Sequence, residues 1–131
     1  MKLEHVSDAN VGGSGDDLIR LVEFTPAEVK SLAEEIRSVL LAQKKSVQLD
    51  GLDFIRSLNC QLTLVLSDKS VGIHKNASGT FTCGLTYQGY LRMVELMEPF
   101  MNDSGTGFQW LYDLPTEDNR TEFLISSNGK W

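Results

Sequence analysis

Histidine and cysteine are scarce in this chain, whose 131 residues contain two of each. His5, Cys60, His74 and Cys83 are dispersed over the sequence, unlike the closely spaced ligand pairs of zinc sites. Neither cysteine belongs to a Cys-x-x-Cys motif, so the redox and structural-zinc patterns are missing as well. These absences predict no metal, no cofactor and no catalytic residues at a recognisable spacing, and they favour a non-enzymatic role.

Long apolar runs and clusters of basic residues are also missing. No stretch approaches the roughly 20 apolar residues that span a bilayer, and the first five residues lack the apolar core of a signal peptide. The sequence therefore predicts a cytoplasmic protein that does not enter a membrane. Eighteen acidic against twelve basic residues give a net charge of −6. Because this charge repels a phosphate backbone, we predict no nucleic-acid partner.

The length and composition predict one folded domain. About 100 to 150 residues is the commonest domain size, and 41% hydrophobic with 23% charged residues is ordinary for a globular protein. Residues 1–16 end in the sequence Val-Gly-Gly-Ser-Gly-Asp, whose backbone freedom is costly to fix. We therefore expect a flexible N-terminal arm over residues 1–16 and a single domain over residues 17–131.

Two helix starts are well marked. Thr25-Pro-Ala-Glu28 is a capping box with proline at the first helical position, and apolar residues then recur at three- and four-residue intervals, which predicts a helix to about Gln43. A second helix is predicted to begin at Thr86, and Pro99 disrupts its last turn.

The remaining pattern predicts strands. Residues 44–59 fit a short strand followed by a turn of helix, with a hairpin at Asp50-Gly51 as the alternative. Residues 61–85 alternate and contain two turns, which predicts an antiparallel meander. Further strands are expected at 18–24, 108–113 and 121–126. Since strands and helices do not alternate regularly, we predict an α+β fold, with an antiparallel sheet of about five to six strands and two main helices packed on it.

Aromatic side chains close to acidic ones mark the candidate binding surface. Phe108, Trp110 and Tyr112 share one face of a predicted strand, where they either close the core or anchor a protein partner. Acidic residues follow immediately, which suits a basic protein surface. The predicted protein-binding residues are Trp110, Tyr112, Asp113, Glu117 and Asp118.

Three functions remain open on this reading. The leading hypothesis is a small acidic inhibitor of a basic protein, of the kind represented by an immunity protein paired with a nuclease toxin. The second is a small dimeric secretion-type chaperone, which would bury an apolar stripe (Val94, Met97 and Met101) or an edge strand between copies. Either a monomer or a homodimer is therefore allowed. The third is a small enzyme that uses His74 with Cys83 or an aspartate.

Overall fold

The computed structural model describes residues 1–6, 17–77, 79–102, 107–112 and 121–127. In these ranges nine strands form one mixed sheet that curls into a half-barrel, and two α-helices accompany it. The strands are β1 Lys2–Val6, β2 Asp17–Val22, β3 Val47–Gln48, β4 Arg56–Ser57, β5 Gln61–Leu66, β6 Gly72–Ala77, β7 Thr80–Leu85, β8 Phe108–Trp110 and β9 Thr121–Ser126. Their order is β3-β5-β7-β6-β9-β2-β1-β4, and β8 pairs with β9.

The prediction of an antiparallel sheet with five to six strands is wrong, although helices and strands combine as expected for an α+β protein. The sheet is larger, and three of its pairings are parallel: β1 with β4, β2 with β9, and β5 with β7. Residues 44–59 contribute to its size. They form a two-residue strand and a 3-10 turn (Leu49–Gly51), as predicted, and then the strand β4.

The first helix begins where the capping box predicts. Helix α1 spans Pro26–Glu35 and continues as a π-helix over Ile36–Ala42. The Thr25 hydroxyl accepts from the Glu28 amide at 3.2 Å, and the Glu28 carboxylate accepts from the Thr25 amide at 2.8 Å. The second Glu28 oxygen accepts from the α-amino group of Met1 at 2.7 Å. One carboxylate therefore joins the start of the helix to the start of β1.

The charge of Glu28 should contribute to stability in a pH-dependent way. Its hydrogen bond to the Met1 amine lowers the pKa of the Glu28 carboxyl below the usual 4.5. Stability from this group is therefore complete above pH 4.5 and declines as the pH falls through the lowered pKa. We expect Glu28→Gln, which keeps an acceptor for the cap, to lower the free energy of unfolding by about 1 kcal/mol at pH 7.

This expectation is checked by urea unfolding at several pH values, with the exposed Glu34→Gln as the matched control. The difference between wild type and Glu28→Gln should shrink as the pH falls below 4.5. A difference that is constant from pH 7 to pH 3 would show that the charge contributes nothing.

The second helix also begins as predicted. Helix α2 spans Tyr87–Met97, with Thr86 accepting from the Gly89 amide at 3.1 Å, and a 3-10 turn follows over Glu98–Met101. The hydroxyl of the buried Tyr90 lies 2.8 Å from the Val65 carbonyl and 2.7 Å from that of Cys83, so it fixes the helix on β5 and β7.

The meander predicted over residues 61–85 is not formed. Strand β5 runs parallel to β7, and β6 lies on the far side of β7. The connection between β5 and β6 must therefore cross β7, which it does at Gly84. A Cβ atom on Gly84 would lie 3.1 Å from Val71 Cγ2 and 3.5 Å from Ser67 Cβ. Because a side chain would occupy the path of the connection, glycine at this point permits the crossing.

The first strand lies inside the segment assigned to a flexible arm. Residues 2–6 pair with β2 along their full length, and Leu3 is completely buried. The side-chain amide of Asn59 bonds both backbone groups of His5, donating to the oxygen and accepting from the nitrogen at 2.7 Å each. Residues 2–6 therefore belong to the sheet, and residues 7–16 lie outside the described ranges.

Candidate functional site

The aromatic surface predicted from the sequence is centred on β8. Phe108 and Trp110 project from the same face of this strand, with ring centroids 5.9 Å apart in an edge-to-face arrangement. Phe108 is 46% exposed and Trp110 is half-buried. Strand β8 is held by β9, where Phe108 lies opposite Ser126 and Trp110 opposite Leu124. The exposed ring is thus carried by a paired strand and supported by a second ring.

Tyr112 has a different place from the one expected. The chain bends at Leu111 after β8, and Tyr112 is only 8% exposed. Its hydroxyl accepts from the Ile73 amide at 3.0 Å and donates to the Thr121 carbonyl at 2.5 Å. It therefore joins β6 to β9, whose registered pairing within the described ranges consists of Ile73 and Thr121. Tyr112 acts within the sheet, not on the exposed aromatic surface.

The acidic members of the predicted surface lie outside the described residues. Asp113, Glu117 and Asp118 belong to the range 113–120, of which no structure is described. Their proximity to Phe108 and Trp110 therefore rests on sequence alone: Asp113 follows Trp110 by three residues. The structure places Phe108 and Trp110 side by side. The position of the acidic residues beside them stays a prediction from the sequence.

His74 and Cys83, which were considered for catalysis, lie on opposite faces of the sheet. His74 is exposed and lies opposite Thr82, whereas Cys83 lies opposite Ile73 on the buried face. Burial raises the pKa of the Cys83 thiol to about 12 and that of Cys60 to about 11. Both thiols are therefore protonated near neutral pH, and a thiol in this state is a poor nucleophile.

The stripe considered for a dimeric chaperone is used within one chain. Val94 is 3% exposed and Met97 is completely buried, and Met101 packs against the same core. The stripe therefore belongs to the hydrophobic core of a single chain.

An open cleft forms a second candidate site, which the sequence did not indicate. It has a volume of about 520 Å³ and lies at the ends of β5 and β7 that lead into their connections. Its lining residues are Lys44, Leu66, Ser67, Asp68 and Tyr87. The lining residues form no motif in the sequence, so the pattern of residues gave no signal for this cleft.

A metal site is not seen among the described residues, where no group of three or more histidine, cysteine, aspartate or glutamate side chains is placed to hold an ion. In the same ranges, no helix combines the length and the apolar character required to cross a membrane.

Comparison with known proteins gives a distant likeness. No protein-family model and no curated protein matches the chain. Among solved structures, the crystal structure of Drosophila Suppressor of Fused is similar, with 14% sequence identity and a TM-score of 0.49. The match covers 85% of this chain and 24% of that one, so the chain spans about a quarter of its length. A likeness of this size assigns no function.

Proposed function

We propose that this domain binds a protein partner through the surface formed by Phe108, Trp110 and the acidic residues Asp113, Glu117 and Asp118. The observation that carries the proposal is the exposure of Phe108, 46% of whose surface remains accessible on a strand fixed by β9. A large apolar ring on a rigid element loses little conformational entropy when a partner covers it. Aromatic residues of this kind dominate the energetics of many protein interfaces.

The neighbouring charges indicate what the partner is like. The segment 113–120 carries three acidic residues and one arginine, and the whole chain has a net charge of −6. An acidic rim around an aromatic centre attracts a basic surface, accelerates encounter and fixes orientation. We infer a basic protein as the partner, and an inhibitor of the immunity-protein type, acting in the cytoplasm, as the concrete form of the function.

The test is affinity capture from the native host, at low and then at moderate salt, with wild type and three variants of the chain as bait. Wild type should retain a stoichiometric basic protein whose binding weakens as salt rises, because salt screens the acidic rim. Phe108→Ser should weaken binding of the purified partner by about 30-fold, which is typical of a hot-spot residue. Combined Glu117→Lys and Asp118→Lys should slow association at low salt.

The matched control is Leu58→Ser, because Leu58 is also exposed, at 45%, and lies outside β8. A partner that binds Phe108→Ser as tightly as it binds wild type would show that the aromatic surface is not the interface. Recovery of the bait alone from the host lysate would count against a stable protein partner altogether.

A further inference from the structure

The cleft lies at the ends of the parallel strands β5 and β7, where the chain leaves the two strands in different directions. Strands β5 and β7 are in parallel register from Gln61 with Thr80 to Leu66 with Leu85, so they end at the same edge of the sheet. After β5 the chain passes over the outer face, against Gly84. After β7 it enters α2, which is fixed to the core face through Tyr90.

The different directions of the two connections explain why a cleft lies at this edge of the sheet. When the connections of adjacent parallel strands leave on opposite faces, a crevice opens between them at the carboxyl edge of the sheet. In open parallel sheets ligands bind in a crevice of this kind, and the parallel pair β5 and β7 reproduces the arrangement locally within a mixed sheet. The cleft seen here has about 520 Å³ of space, which is within the range of about 300 to 1,000 Å³ found for small-molecule sites.

The lining carries two charges of opposite sign that do not pair with each other. Lys44 and Asp68 are both exposed, and among the described residues neither takes part in an ion pair. Lys44 has a left-handed backbone, with φ of 57°, a conformation that is unfavourable for a non-glycine residue. The next amide, that of Lys45, donates to the Val39 carbonyl at 3.0 Å and holds the turn.

The remaining lining is mixed, because Ser67 adds a hydroxyl whereas Leu66 and Tyr87 add apolar surface. Tyr87 opens helix α2 and is 48% exposed, and Leu66 ends β5 half-buried. A tyrosine ring at the wall of a cleft offers a flat face on which another ring or an apolar group can stack. The cleft therefore combines a cation, an anion, a hydroxyl and an apolar patch formed by Leu66 and Tyr87.

We propose that this cleft binds a small zwitterion of the α-amino acid type with an aromatic or apolar side chain. Lys44 receives the carboxylate, Asp68 receives the ammonium group, and Tyr87 with Leu66 receives the side chain. The two charges of such a molecule match both charges of the cleft, whereas a simple anion or cation leaves one of them without a counterpart. The site is separate from the Phe108 surface and does not depend on the proposed protein partner.

The probe is L-phenylalanine, titrated into the isotope-labelled 131-residue chain and followed by chemical-shift changes of backbone amides. We expect saturable changes around residues 66–68 and 87. Two analogues that each lack one charge, 3-phenylpropionate and phenethylamine, should bind about tenfold more weakly, since each loses one charged hydrogen-bonding contact.

Variants identify the residues responsible. Lys44→Gln and Asp68→Asn should each weaken L-phenylalanine binding about tenfold, whereas the exposed controls Lys45→Gln and Asp53→Asn should leave it unchanged. The proposal is overturned by any of three results: no saturable shift up to millimolar probe, equal binding of a singly charged analogue, or full binding by the Lys44 and Asp68 variants. The Phe108→Ser chain should bind the probe like wild type, so failure of one proposal leaves the other testable.

Discussion

Replacing Leu3 by alanine should lower the free energy of unfolding by about 3 kcal/mol, the usual effect of removing a large aliphatic side chain from a core. Leu3 is completely buried, although it lies in a segment whose sequence predicts an arm. It sits opposite Leu21 in β2 and next to Ser57 in β4, so its side chain belongs to the centre of a three-strand unit. Urea and thermal unfolding measure the effect, and the melting temperature should fall by about 10 °C.

Leu58→Ala is the matched control, because Leu58 is 45% exposed and its amide still donates to the Leu3 carbonyl after the change. Its effect should stay within about 0.5 kcal/mol. If Leu3→Ala were as mild as this control, β1 would not be part of the core, and the arm expected from the sequence would be the better description.

Replacing Tyr112 by phenylalanine should lower the free energy of unfolding by about 2 kcal/mol. The change removes one oxygen and leaves the ring in place. That oxygen accepts from the Ile73 amide and donates to the Thr121 carbonyl, both in buried surroundings. Loss of a partner by a buried polar group costs more than the hydrogen bond contributes, because water does not replace the partner.

Tyr87→Phe supplies the control, since Tyr87 is 48% exposed and water can hydrate its surroundings. Its effect on unfolding should stay within about 0.5 kcal/mol. Amide hydrogen exchange adds a local test: Ile73 should exchange faster in Tyr112→Phe, and not in Tyr87→Phe. Equal stability of the two variants would mean that β6 and β9 are joined without help from the hydroxyl.

Local chemistry made the helix starts predictable. The capping box of Thr25 and Glu28 needs four consecutive residues only, and the structure forms both of its hydrogen bonds. Thr86 likewise caps α2 without any distant partner. All the residues that form such a cap lie within one helical turn of each other in the sequence, so the cap can be recognised from the sequence alone.

The pairing of strands was not predictable in the same way. Alternation in residues 61–66 and 80–85 shows which side chains face the core, but it does not identify a strand's neighbour or its direction. The short turns therefore favour an antiparallel meander, and nothing in the sequence distinguishes Gly84 from an ordinary strand residue. Its importance depends on Val71, thirteen positions earlier, which packs where a side chain would stand.

The candidate site shows a similar division. Aromatic spacing placed Phe108 and Trp110 together correctly, since both lie in one strand. The same spacing groups Tyr112 with them, because the alternation of residues 108, 110 and 112 does not reveal the bend at Leu111. A tyrosine has an apolar ring and a polar tip, so it suits an interface and an interior equally well; only the positions of Ile73 and Thr121 decide between them.

The position of β9 has a consequence for how the chain folds as it is made. This strand lies between β6 and β2 and so connects the group β3-β5-β7-β6 with the group β2-β1-β4. Synthesis proceeds from the N-terminus at about 5 to 20 residues per second, so eight of the nine described strands leave the ribosome before the one that joins the two groups. Until then Ile19 and Leu21, which face Phe123 and Ile125 in the finished sheet, lack their parallel neighbour. Completion of this sheet is therefore a late and long-range event, and we expect it to limit the folding rate.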